Sequence, residues 1–234
     1  MRQTLHIFTK EFKDYFVSPI AYIVISIFLL VVGWFFFAAF FLHNQASLRN
    51  FFALLPMIFA FVMPAVTMRL FAEEIHAGSY EILLTLPVSL TDVILGKFLA
   101  ASAFAAAMLV PTLAYPLTIS WMGSLDWGPA VGGYIGAVLL GAAFSAIGLF
   151  ASSLTRNQIV AFIIGVLICF GLTMIDKMLF FVPRLLVGPI GYLGADFHFQ
   201  NIARGIIDSR DILYFLSIIF LSLYAAWLTM REKE

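Results

Sequence analysis

Four carboxylates, Glu73, Glu74, Glu81 and Asp92, fall within a polar stretch, RLFAEEIHAGSYEILLTLPVSLTDVILGK, running from Arg69 to Lys97 between two hydrophobic runs. Acidic groups at this density could line an active site, or form an acidic surface that a soluble partner reads. Chemistry inside a membrane would need a Ser/His pair, two carboxylates or an H-E-x-x-H helix at membrane depth, and the sequence offers none there. His6, His43, His76 and His198 lie near span ends or in loops, where single histidines are bystanders more often than ligands. Cys169 is the one cysteine and sits in an apolar run, so it makes no internal disulfide and no metal cluster. No catalytic residue and no metal ligand is assigned, which leaves the acidic stretch as a surface for a partner.

The elements that must position this surface follow from composition. With 63% hydrophobic and 11% charged residues and a mean hydropathy of +1.04, the chain cannot clothe a water-facing surface and is an integral membrane protein. A net charge of +0 gives no support to a nucleic-acid partner, which would need clustered Lys and Arg. Hydrophobic runs of spanning length recur: Ile20 to Leu42, Phe51 to Ala72, Thr91 to Trp121, Pro129 to Leu154, Gln158 to Phe180 and Ile212 to Met230. They are continuous rather than alternating, so the fold class is an all-α bundle of six transmembrane helices and not a barrel. There is no long linker or internal repeat, and residues 1–234 form a single transmembrane domain.

Arg2, Lys10, Lys13, Arg69, Lys97, Arg156, Arg231 and Lys233 flank the spans on one side, against Arg49, Lys177, Arg184, Arg204 and Arg210 on the other. The bias puts both termini and the acidic stretch in the cytoplasm. Ahead of the first span, residues 1–17 place Leu5, Phe8, Phe12, Tyr15 and Phe16 on one helical face, with Arg2, Lys10, Lys13 and Asp14 largely opposite. This reads as an amphipathic helix along the membrane surface, the alternative being a solvated extension of the first span. Ser18-Pro19 then starts the crossing helix with a bend.

Within the acidic stretch, Arg69 suits the end of the second span, and Glu73 and Glu74 meet the aqueous boundary. Gly78 can turn the chain, Ser79 can cap a short helix with Glu81 in its first turn, and Pro87 ends it. Ser89 and Asp92 have capping-box spacing and start the third span at about Leu90. Ile82, Leu83, Leu84 and Leu86 would gain nothing in water, whereas each stabilises by about 1.5–3 kcal/mol when fully buried in a partner's groove. Residues 73–90 are therefore expected to form a short helix across the membrane face.

This stretch, with KEFKDYFVSPIAYI near the amino end and FHFQNIARGIIDSRDILYFLS before and into the last span, resembles the ABC-2 class of ABC-transporter permeases. The likeness covers essentially the whole chain, is nearest to the gliding-motility type, and extends to the nitrous-oxide-reductase maturation permeases. EE-x-x-x-G-S-x-E-x-L-L-T-x-P-V carries it, with Ser79 where the family often has Thr. The resemblance implies a permease of the bacterial inner membrane that exports a substrate. In it Glu73, Glu74, Gly78, Ser79 and Glu81 shape a coupling helix, and Leu83 and Leu84 seat in a separate ABC ATPase subunit. ATP and Mg belong to that partner and no cofactor to this chain, which has no G-x-x-x-x-G-K-[ST] loop. It further implies a second permease chain, identical or closely related. An alternative is a force-transmitting or assembly subunit that drives an extracytoplasmic partner without moving a substrate.

Pro56 and Pro64 in the second span, and Pro111 and Pro116 in the third, flank the coupling segment. They are hinge candidates that would transmit ATPase motion, or else static kinks made for packing. Gly132 and Gly136 open a small-residue face on the fourth span, suited equally to contacts inside the bundle or between chains. Residues 181–211 are too polar and broken to cross, with Phe197 to Ile207 a short helix and Asp208 and Asp211 capping the last span. This outer segment would serve as a gate, as a dock for an accessory protein, or as a packed lid.

Overall fold

A computed structural model describes residues 2–43, 47–80, 88–123, 125–179, 184–206 and 208–233. Among them the chain is helical throughout, and six helices are long and apolar enough to cross a membrane: Pro19–Ala38, Arg49–Ala77, Leu90–Trp121, Trp127–Leu154, Gln158–Met178 and Ser209–Arg231.

Local chemistry sets most helix ends. Helix α1 (Arg2–Val17) is separated at Ser18 from α2 (Pro19–His43), and the Ile20 amide donates to the Ser18 hydroxyl at 3.3 Å. Helices α3 (Arg49–Thr67) and α4 (Arg69–Ala77) form one span that runs on through Met68, whose amide reaches the Pro64 carbonyl at 2.8 Å. Helix α5 (Leu90–Leu109) starts on Ser89, which accepts from the Asp92 amide while its hydroxyl donates to the Asp92 carboxylate at 2.6 Å. A 3-10 turn at Pro111–Leu113 breaks this third span before α6 (Ala114–Met122). Asp126, Asn157 and Asp208 cap α7 (Trp127–Leu154), α8 (Gln158–Met178) and α11 (Ser209–Arg231). Between the last two lie the short helices α9 (Arg184–Gly191) and α10 (Ala195–Ala203).

Helix α7 is the centre of the bundle. Its most apolar window is 72% buried, against 11% for α11 and 22% for α2 and α8, and α3, α5, α8, α10 and α11 all pack on it. Its small residues make this approach close. A Cβ at Gly133 would lie 2.3 Å from the Phe52 ring, and one at Gly148 only 1.9 Å from Thr67 Oγ1. Gly132 and Gly136 are covered by Ile202 and Phe199 of α10. The Gly-x-x-x-Gly face of the fourth span is thus filled from within the same chain.

Candidate functional site

Helix α1 is held to the bundle by a face made of Thr4, Ile7, Phe8, Glu11, Phe12, Tyr15 and Phe16, while Leu5 is 64% exposed. The expected apolar face is therefore rotated away from Leu5. The cause is Gly96 of α5, where a Cβ would fall 2.7 Å from Ile7 Cγ2, so Ile7 and Thr4 enter the notch its missing side chain leaves. Tyr15 stacks on Phe104 at 4.9 Å and donates its hydroxyl to the Val66 carbonyl at 3.3 Å. Burial pushes the Tyr15 phenol pKa well up, which keeps it a neutral donor. The Arg69 guanidinium lies 5.0 Å over its ring.

This register brings Glu11 onto Lys97. The ammonium, 1% exposed, lies 3.0 Å from Glu11 Oε1 and 2.6 Å from Glu74 Oε1, and 5.4 Å from the centre of the Phe71 ring. One buried cation thereby ties α1, α4 and α5 together, and the exposed Lys10 ammonium, 3.8 Å from Glu11 Oε1, balances the second carboxylate. Glu74 Oε2 is buried with no hydrogen-bond partner among the described residues. A second tie, from the Thr4 hydroxyl to the Asp92 carboxylate, fixes the amino end of α1 to the start of α5. Beside the cluster opens a groove of about 350 Å³, with Lys10, Asp14, Arg69, Glu73 and Ser79 on its walls.

The sequence-predicted coupling residues distribute around this lock. Glu74 belongs to it and Glu73 stands exposed at the groove. Gly78 ends α4 with φ +70°, a left-handed backbone at an otherwise open position, so conformation and not space requires the glycine. Ser79 has helical backbone, and its hydroxyl donates back to the Glu74 carbonyl at 3.3 Å, satisfying an orphan carbonyl of α4. The amides that it is expected to cap lie outside the described residues. Glu81, Leu83 and Leu84 lie outside the described residues. The flanks of that segment are anchored, however. Tyr80 is buried with its hydroxyl 3.4 Å from the Met230 carbonyl of α11, and Ser89 caps α5.

The hinge candidates separate. Pro56 and Pro64 are buried inside α3, and Pro64 packs against Gly148 of α7 and Gly165 of α8. Pro111 opens the 3-10 turn that breaks the third span. Pro116 is the third residue of α6, in the first turn, where a missing amide hydrogen leaves no intrahelical bond unmade.

At the opposite end from α1, two residues behave differently from expectation. His198 is fully buried rather than a surface bystander, and Asp211 is buried against it rather than capping α11, a task that Asp208 performs. Nδ1 lies 2.6 Å from Asp211 Oδ1, and Nε2 lies 2.9 Å from the Tyr192 carbonyl. The carbonyl can only accept, so Nε2 carries a hydrogen, and the Nδ1–Oδ1 contact needs a further proton between histidine and carboxylate. Tyr214 stacks on the imidazole at 4.0 Å. Nearby, Asp176 accepts the Phe197 amide at 2.7 Å, and Lys177 pairs with Asp196 at 3.1 Å.

Neither pairing was read from sequence. The Glu11–Lys97–Glu74 cluster had a trace there: a lysine two turns into a span is costly unless neutralised, and Glu11 sits in the 4-8-11-15 register of the face that packs.

The sequence profile of the ABC-2 family transporter proteins matches residues 5–226. The chain belongs to the ABC-2 family. No curated protein matches it. As an ABC-2 protein it is a multi-pass membrane component of a transporter, is not itself the catalytic subunit, and belongs to a family that works with an ABC ATPase.

Proposed function

We propose that this ABC-2 chain is the permease subunit through which ATP hydrolysis on a separate ATPase subunit drives export of a substrate across the bacterial cytoplasmic membrane. The observation that carries the reading is the Glu11–Lys97–Glu74 lock. It joins three helices at one end of the bundle, and two of them, α4 and α5, lead directly into and out of residues 81–87. A force applied to that segment by a partner would reach the second and third spans as a unit, with α1 as the brace.

In this reading ATP and Mg are bound by the ATPase, Glu81 meets its surface, and Leu83 and Leu84 fill its groove. The lock and both termini face the cytoplasm, and Pro56, Pro64 and Pro111 let the spans bend as they move. Pro116 contributes less, being in a first turn. A second copy or close relative of this chain completes the transporter, and an accessory protein docks on the outer segment. The affinity to permeases of the gliding-motility type belongs to this proposal too.

The test is co-purification. The chain expressed with its genomic neighbours should retain a stoichiometric P-loop ATPase in detergent, and Glu81→Arg with Leu84→Asp should release it while the permease stays folded. Recovery of the chain with no ATPase, or an ATPase indifferent to the double change, would sink the proposal.

A further inference from the structure

The end of the bundle away from α1 holds a cavity of about 250 Å³ between the starts of α3 and α7 and the end of α10. Arg49 and Arg204 both line it, with Gln200, whose side-chain amide donates to Asp196 at 3.1 Å, over an apolar floor that includes Phe52 and Leu125. Asp126 is the one carboxylate on its wall, and its Oδ1 accepts the Gly128 amide at 3.1 Å. One carboxylate against two guanidiniums leaves the cavity positive. Neither arginine is ion-paired to another described residue. The first turns of α3 and α7 also form part of the wall; the Arg49 amide donates to the Ser47 hydroxyl at 3.2 Å and Asp126 caps α7, so the two helix ends add little to the field and the two guanidiniums dominate it.

The frame around the cavity is built closely. Gly205, with φ +84°, would place a Cβ 3.2 Å from the backbone at Gly128 and Pro129, and one at Gly132 would lie 2.5 Å from the Ile202 carbonyl. Backbone thus lies on backbone where α10 ends on α7, which fixes the Arg204 main chain beside the cavity. The floor is fixed by Phe52, buried against Gly133 and 5.5 Å from the Tyr134 ring.

We propose that this cavity is a binding site for a phosphate group, with Arg49 and Arg204 as the two forks that hold it. A carboxylate is satisfied by a single guanidinium, whereas a tetrahedral phosphate has oxygens enough to take two forks at once. The volume suits a headgroup-sized ligand more than a large solute, and the apolar floor accommodates carbon attached to the phosphate. A lipid headgroup and a soluble phosphate share this chemistry. Placing the site on the extracytoplasmic face rests on the permease reading; the existence of the site does not.

The chain in dodecyl maltoside micelles, free of added phospholipid, is tested with two probes, radiolabelled inorganic phosphate and radiolabelled dihexanoyl phosphatidic acid. Saturable binding is expected, weakened about tenfold or more by Arg49→Gln with Arg204→Gln and retained in larger part by the Arg→Lys pair, which keeps the charge. Binding of both probes with mutual competition identifies the phosphate itself as the ligand, and binding of the lipid alone identifies a headgroup. If neither probe binds saturably, or the Gln pair binds as the native chain does, the proposal is overturned. Unchanged protection of Cys169 from a thiol reagent confirms that the variants are folded. Co-purification of the ATPase is scored separately, so loss of phosphate binding with the ATPase retained touches only the site, and the converse only the permease reading.

Discussion

Replacing Lys97 by Met keeps the bulk of the side chain and removes the charge that Glu11 and Glu74 share. Both Oε1 atoms contact one nitrogen, at 3.0 and 2.6 Å, so they are no more than about 6 Å apart, and two carboxylates at that distance repel by roughly 3 kcal/mol at an effective dielectric of about 20, which the exposed Lys10, 3.8 Å from Glu11 Oε1, offsets only in part. Loss of the two charge-assisted hydrogen bonds adds to this, and the total falls in the range of about 3–5 kcal/mol found for breaking buried ion pairs. For a chain of this length the midpoint of thermal unfolding should drop on the order of 10 °C. The chain carries its own reporter, because Cys169 is the one cysteine and is fully buried, so a thiol-reactive fluorophore registers unfolding directly. Glu11→Leu with Glu74→Leu and Lys97→Met should recover most of the loss, because an apolar cluster has no unpaired charge to bury. A Lys97→Met protein that melts with the native chain, or a triple variant as unstable as the single one, would refute the buried lock.

Two other perturbations test the packing and the buried pair, read by the same Cys169 assay. Gly148→Val should destabilise by about 1–3 kcal/mol or prevent folding, because its Cβ meets Thr67 Oγ1 at 1.9 Å, whereas Gly171→Ala, with nothing within 4 Å of the added carbon, should be near neutral. Asp211→Leu should cost about 3–5 kcal/mol by leaving His198 Nδ1 buried without its partner, and adding His198→Phe should recover part of that, a pattern that an unlinked pair would not show.

The parts of the fold that are legible in the chain are those written in adjacent residues. Helix caps at Ser89 and Asp208 depend on a hydroxyl or carboxylate two or three positions from an amide, and a left-handed turn at Gly78 depends on one missing Cβ. The Asp211 expectation failed for a related reason. Asp208 and Asp211 both fit a helix start locally, and only the arrival of His198 from α10 decides which of them caps and which is buried. Leu5 likewise fits the apolar stripe of α1, but the notch at Gly96, far along the chain, sets the rotation of that helix.

Hydropathy acts on each segment separately, so an apolar composition and its continuous runs were enough to establish a helical membrane protein, and an extended run of family-specific residues its membership of the ABC-2 transporters. Which charges meet was decided by tertiary structure. Lys97 lies 86 residues from Glu11 and 23 from Glu74, separations that no local spacing encodes. Burial makes those meetings matter, because a charge that water would solvate at the end of a lone helix must find its partner once the bundle closes over it.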